Sequence, residues 1–179
     1  MSEYPQAVDD GHTVFTGEIF SVRRGRYRRA DGEEVTREVV VHGGAVAVVA
    51  YDETSVYLVR QPREAIERSD VLELPAGRLD VEGEAPLRTA QRELAEEIGM
   101  AANSWAHATT YFTSTGFTNE EVSIFLATDL REVGVPDNAP DEGIEVVRWP
   151  LVELDAAIDA SLDAKTLIGL LWLRRAREA

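Results

Sequence analysis

The sequence predicts an α+β fold: a mixed β-sheet sandwiched between helices (α/β/α), with an antiparallel β-hairpin subdomain at the N-terminus. Three observations predict it. Apolar and β-branched runs of strand length, separated by turn residues, fill the first third of the chain. One strongly periodic helical stretch, Pro86 to Ile98, interrupts them. Two further helical segments close the chain after a last strand. The length of 179 residues is enough to bury a substantial core.

In chain order, Thr13 to Arg23 alternates loosely, and "RYRRADGEEVTREVVVH" carries Asp31-Gly32, a hairpin turn signal. "GGAVAVVAYDETSVYLVRQ" reads as a second hairpin around Asp52-Glu53-Thr54. "VLELPAG" is a short strand ended by Pro75 and Gly77. Pro86 suits a first helical turn and Gly99 a C-terminal cap. Leu87, Ala90, Leu94 and Ile98 form one apolar stripe on that helix. Strands follow at Trp105 to Phe112 and Val122 to Thr128, separated by the loop "TSTGFTNEE". "REVGVPDNAPDEG" is a long polar loop, "IEVVRWP" a final strand, and Ala164 to Ala176 a terminal helix with a basic end. The expected division is residues 1–42 as a strand subdomain and 43–179 as the main domain.

Composition restricts the partners. The formal charge is −15, which argues against nucleic acid or anionic membrane as a partner, since both need basic surface. There are no cysteines, so disulfides and thiolate metal sites are excluded. The start of the chain lacks a basic segment followed by an apolar run, so no signal peptide is expected, and a cytoplasmic location fits. The longest apolar run, Ala45 to Tyr51, is too short to span a bilayer. The histidines at 12, 42 and 107 are scattered and read as structural, as do Trp105 and Trp149.

"RELAEEIG" holds the chemistry. At about 100° per residue the apolar stripe occupies roughly 60° to 140° from Glu93, with Glu97 near 40° and Glu96 near 300°. The three carboxylates form an arc beside the buried stripe. Ionised carboxylates at the edge of a core are costly unless protonated or bound to cations. Mg²⁺ meets that need, taking hard oxygen ligands and bridging carboxylates to substrate phosphates. Arg92 is placed to pair with Glu96, four residues on.

The stretch "LELPAGRLDVEGEAPLRTAQRELAEEIGM" resembles the Nudix hydrolase motif: Glu84, seven intervening residues, then Arg92, Glu93, Leu94, Glu96, Glu97, Gly99 and Met100. Between Gly77 and Glu84 stand six residues where the motif has five; the extra one is expected in the loop "RLDVEG". "ELPAG", "GFTNEE" and "PDEGIEV" resemble the ADP-ribose pyrophosphatase branch, with Thr115 standing where that branch often has proline. Pro140 stands where it tends to carry a second loop glutamate.

The resemblance implies hydrolysis of a nucleoside diphosphate linked to another group, with ADP-ribose or a related sugar nucleotide as substrate. It implies Mg²⁺, with Mn²⁺ as the alternative, held by Glu93, Glu97, Glu96, Glu142 and the carbonyl of Ala76. The metals would neutralise the diphosphate and lower the pKa of the attacking water. Candidates for the base are Glu142, Asp141, Glu145 and Glu96, with Glu142 preferred and Arg92 orienting the cluster. Arg63 and Arg78 are candidates to hold phosphate, and Phe117 to touch the substrate. The branch implies a homodimer built through the N-terminal strands, with Phe20 or Tyr27 as a stacking ring. Another nucleoside diphosphate preference, or a non-catalytic nucleotide-binding module, are the competing readings.

Overall fold

The computed structural model describes residues 6–136 and 143–178. Tertiary contacts group the described residues up to Gly44 with Phe112–Glu121 as one unit, and Ala45–Tyr111 with the described residues from Val122 onward as a second.

The first unit is an antiparallel sheet of β1 (Gln6–Ala7), β2 (His12–Thr16), β3 (Phe20–Arg28) and β4 (Glu34–His42). Gly32, at φ +87°, closes the β3–β4 hairpin at the expected Asp31-Gly32 turn. Cross-strand ion pairs line this hairpin, including Arg28 with Glu34 at 2.9 Å, all solvent-exposed and each contributing little to stability. Large apolar side chains here stay exposed: Val14, Phe15, Ile19 and Phe20. The rings of Phe15 and Phe20 lie 5.9 Å apart.

The second unit is built on β5 (Ala45–Tyr51), which pairs parallel with β10 (Glu121–Glu132) and antiparallel with β6 (Ser55–Arg63) and β8 (Ala76–Arg78). β7 (Arg68–Glu73) and β11 (Glu145–Pro150) pair with β6, and β9 (Met100–Phe112) neighbours β10, completing a seven-stranded mixed sheet. Helix α1 (Pro86–Ile98) packs on one face. Val46, Val48 and Ala50 of β5 meet Ala90, Leu94 and Ile98 there. The alternate residues Ala47 and Val49 face Leu170 and Leu173 of α3 (Ala164–Glu178), next to the short α2 (Leu154–Ala160). A strand covered on both faces needs a continuous apolar run rather than an alternating one, which "AVAVVAY" supplies. Gly169 lets α3 approach closely: a Cβ there would lie 2.5 Å from Leu74 Cδ1 and 2.9 Å from Val49 Cγ2.

Two expectations are corrected. Leu87 is exposed; Thr89 takes its place in the buried stripe, donating from Oγ1 to Glu84 Oε2 at 2.8 Å. Gly77 does not end the sheet. Pairing with β6 stops at Glu73, and from Pro75, whose carbonyl accepts from the Val48 N–H, the chain moves onto β5 and pairs there as β8, with Gly77 opposite Val46. The strands at β9 and β10 also extend beyond the expected bounds, to Met100 and Glu132. Among the described residues no helix is long and apolar enough to cross a membrane.

Candidate active site

Helix α1 begins with Pro86 and ends at Gly99, whose φ of +66° provides a left-handed cap that donates to Ala95 O. Its buried stripe seats it on β5, which brings its carboxylate arc against β8. Two contacts fix that approach. The Ala76 N–H donates to Glu97 Oε2 at 3.0 Å. The Glu93 carboxylate occupies the space a side chain on Gly77 would need; a Cβ there would fall on Glu93 Cδ and Oε1.

Arg92 gathers the remaining acids. Its Nη1 lies 2.7 Å from Glu93 Oε1 and 2.9 Å from Glu96 Oε2, and its Nη2 lies 3.5 Å from Asp80 Oδ1 and 3.6 Å from Glu84 Oε2. The four-residue pair with Glu96 is present. The contact with the adjacent Glu93 comes from the reach of the arginine, because neighbouring residues do not face each other on a helix. Arg92 Nε is buried with no hydrogen-bond partner among the described residues. Upstream, residues 79–85 connect β8 to α1. Gly83, at φ +78°, makes the turn, and the Glu84 N–H closes it on Val81 O. The loop that carries the extra residue therefore ends on Glu84, itself anchored by Thr89.

Burial pushes the Glu93 carboxyl above the usual carboxylate range, with Glu96 and Asp80 adding repulsion that Arg92 only partly offsets. A carboxyl whose folded pKa is raised contributes stability below its unfolded value of 4.5, and loses it as pH rises through the folded value. At neutral pH the ionised Glu93 is therefore a cost. Glu93→Gln, which cannot ionise, is expected to be more stable than the wild type at pH 7 in a chelator, the gap closing toward pH 4. Urea melts at both pH values test this. A wild type at least as stable at pH 7 would mean that the Arg92 pair, not burial, governs this charge.

A second ionic group lies beside the arc and was not anticipated. Glu73, on β7, is buried and accepts a two-pronged contact from Arg63, Nε at 2.5 Å and Nη2 at 2.7 Å. Lys165 Nζ, at the start of α3, reaches the same carboxylate at 2.5 Å and Asp163 Oδ1 at 3.0 Å. Although burial opposes it, these cations hold Glu73 below the usual carboxylate range. Glu73 raises the Arg63 guanidinium further above its ordinary value, with Asp163 and Glu97 adding smaller contributions. Arg78 is exposed and lies 4.0 Å from Asp80.

Phe117 is exposed in the first unit, its carbonyl accepting from Val40 N at 2.7 Å. Glu145 begins β11 and is exposed. Asp141 and Glu142 lie outside the described residues. His42 Nδ1 accepts from Gly44 N at 3.0 Å, and His107 bonds Thr110 Oγ1 at 2.8 Å.

Among the described residues no three His, Asp or Glu side chains stand close enough to hold one metal ion. The donor set still suits Mg²⁺, which keeps several waters and takes only one or two carboxylates. Glu93 and Glu97 offer hard oxygens on one helix face, against a strand whose glycine leaves the carboxylate room, and burial of Glu93 favours a neighbouring cation.

The NUDIX domain model matches residues 41–168. An ADP-ribose pyrophosphatase of Mycobacterium tuberculosis (strain ATCC 25618 / H37Rv) is 44% identical over 155 residues, 86% of this chain and 74% of the relative. An ADP-ribose pyrophosphatase of Bacillus subtilis (strain 168) is 35% identical, covering 90% of this chain and 88% of the relative. A solved ADP compounds hydrolase superposes with a TM-score of 0.83 over 97% of this chain and 94% of that one, at 23% identity, a likeness of fold.

Proposed function

From the premise that the chain belongs to the Nudix family and is a Nudix hydrolase resembling ADP-ribose pyrophosphatases, we propose that it hydrolyses the pyrophosphate of ADP-ribose or a related nucleoside diphosphate sugar. The products are a nucleoside monophosphate and a sugar phosphate. The observation that carries this reading is the seating of Glu93 and Glu97 against β8, through the bare Cα of Gly77 and the N–H of Ala76.

In this reading Glu93 and Glu97, with the carbonyl of Ala76 and with Glu142, would hold Mg²⁺, or Mn²⁺ in its place. A cation held there would supply charge neutralisation of the diphosphate and a lowered pKa for the attacking water. Arg92 fixes Glu93 and Glu96, so both carboxylates are oriented before substrate arrives. Because Glu96 is already engaged by Arg92, Glu142 is the better base, removing the proton from the attacking water. Arg63 contributes positive charge toward the diphosphate. Its two-pronged contact with Glu73, a carboxylate that Lys165 also holds, restricts it to one orientation, which suits holding a phosphate oxygen. Arg78 assists from the rim, and Phe117 touches the substrate. The exposed Val14, Phe15, Ile19 and Phe20 support a homodimer formed through the N-terminal strands. Residues 1–42 form the strand subdomain and residues 43–179 the hydrolase domain of a cytoplasmic enzyme.

The test is an incubation with Mg²⁺ or chelator and a panel of ADP-ribose, other sugar nucleotides and dinucleotides, following monophosphate release. ADP-ribose is expected to give AMP only with the metal. Faster turnover of another panel member would move the substrate within the class. Tight binding without turnover of any member would identify a non-catalytic module.

A further inference from the structure

On the opposite face of the sheet from α1 lies a cavity of 260 Å³ between β6, the start of β7 and the connection from α2 to α3. Along β6, Leu58 faces the α3 side and Val59 the α1 side, so alternation carries Arg60 to the α3 side with its register partner Leu72. Arg60 and Arg68 line the cavity together with Asp70, Leu72, Trp149 and Leu162.

The two arginines differ from most others in the chain. Neither makes a side-chain hydrogen bond or ion pair among the described residues, although Asp70 lines the same cavity. Arg60 Nε is buried without a partner. No protein acceptor among the described residues holds either guanidinium, so the nitrogens that line the cavity are free to donate to an oxyanion placed there. Trp149 commits its indole N–H to Glu153 O at 2.9 Å, so its ring offers an apolar surface rather than a donor. With a chain charge of −15, no long-range field draws an anion here. Recognition must come from direct contact with the two guanidiniums.

We propose that this cavity binds a small organic anion, a phosphate or carboxylate group carried on a single apolar ring. The oxyanion engages Arg60 and Arg68, whose charges exceed that of Asp70, and the ring lies among Trp149, Leu72 and Leu162. The cavity's 260 Å³ is room for a substituted ring. The site is separate from the α1 carboxylates and does not depend on the proposed hydrolysis.

Calorimetric titration at fixed ionic strength, in chelator, tests it with phenyl phosphate, benzoate and inorganic phosphate as probes. Phenyl phosphate or benzoate is expected to bind wild type at least tenfold more tightly than Arg60→Gln or Arg68→Gln, with inorganic phosphate weaker than the better ring-bearing probe. Whichever of the two organic probes binds more tightly identifies the oxyanion. Hydrolysis by Arg60→Gln should equal wild type, which also shows that the variant folds. If it does not fold, Arg60→Lys keeps the charge without the planar fork and is expected to weaken binding several-fold. Absence of binding by both organic probes to wild type, or equal affinity in wild type and the arginine variants, overturns the proposal.

Discussion

Glu97→Gln is expected to lower Mg²⁺-dependent hydrolysis on the order of a thousandfold, about 4 kcal/mol of transition-state stabilisation at 1.36 kcal/mol per tenfold. The substitution removes one negative charge and one hard anionic ligand while preserving shape. The glutamine carbonyl still accepts from the Ala76 N–H, a contact of 3.0 Å in the wild type, so α1 stays seated on β8. Thermal stability in chelator should therefore change by no more than about 1 kcal/mol. Steady-state kinetics across a Mg²⁺ series, beside circular dichroism melts, separate the two effects. A variant that keeps wild-type turnover would remove Glu97 from the proposed metal site.

Gly77→Ala is expected to cost about a hundredfold in kcat with little loss of stability. The new methyl group would land on the Glu93 carboxylate, so something must move. What moves is the far end of a flexible side chain, which can swing away without disturbing the backbone. The backbone at Gly77 is not in the left-handed region, so alanine is tolerated there. The displaced Glu93 leaves its 2.7 Å contact with Arg92 and loses its place on the arc. Misplacement of a catalytic group by about 1 Å can cost a hundredfold in rate. A melting temperature close to wild type, with kcat sharply reduced, is the expected pair of readings. Wild-type kcat would show that the position of Glu93 against β8 is not needed.

Much of this was readable in the residues. The bounds of α1, Pro86 to Ile98, followed from the proline, the glycine cap and the apolar period. Both hairpins followed from their turn residues, and the mixed sheet between helices followed from one long helix set among many strands with further helices at the end. The angular count put Glu93 and Glu97 at the edge of the core, and the match to a Nudix domain model agrees with the motif that contains them. Less accessible was anything set by contacts distant in sequence. Glu73 alternates with Leu72 and Leu74, a pattern that normally puts the polar residue in water. Here both sheet faces are covered, and its second cation arrives 92 residues later on α3. One available signal was that Lys165 is the single lysine of the chain and stands at the start of a helix whose other charges lie at its far end. Arg92 was expected to meet Glu96 but not Glu93, because helical spacing describes backbone positions and not the reach of a long side chain.

The parallel pairing of β5 with β10 has a kinetic consequence. Ala45 lies opposite Val122, 77 positions later, and the intervening chain includes α1, β8 and the proposed ligands Ala76, Glu93 and Glu97. Joining these two strands means closing that entire span, and loop-closure entropy is lost before the pairing is rewarded. Folds dominated by such non-local contacts cross their barrier slowly, in milliseconds to seconds. The helix and the antiparallel hairpins can form from local sequence well before β10 docks on β5. The centre of the sheet is thus expected to be among the last parts of the molecule to consolidate.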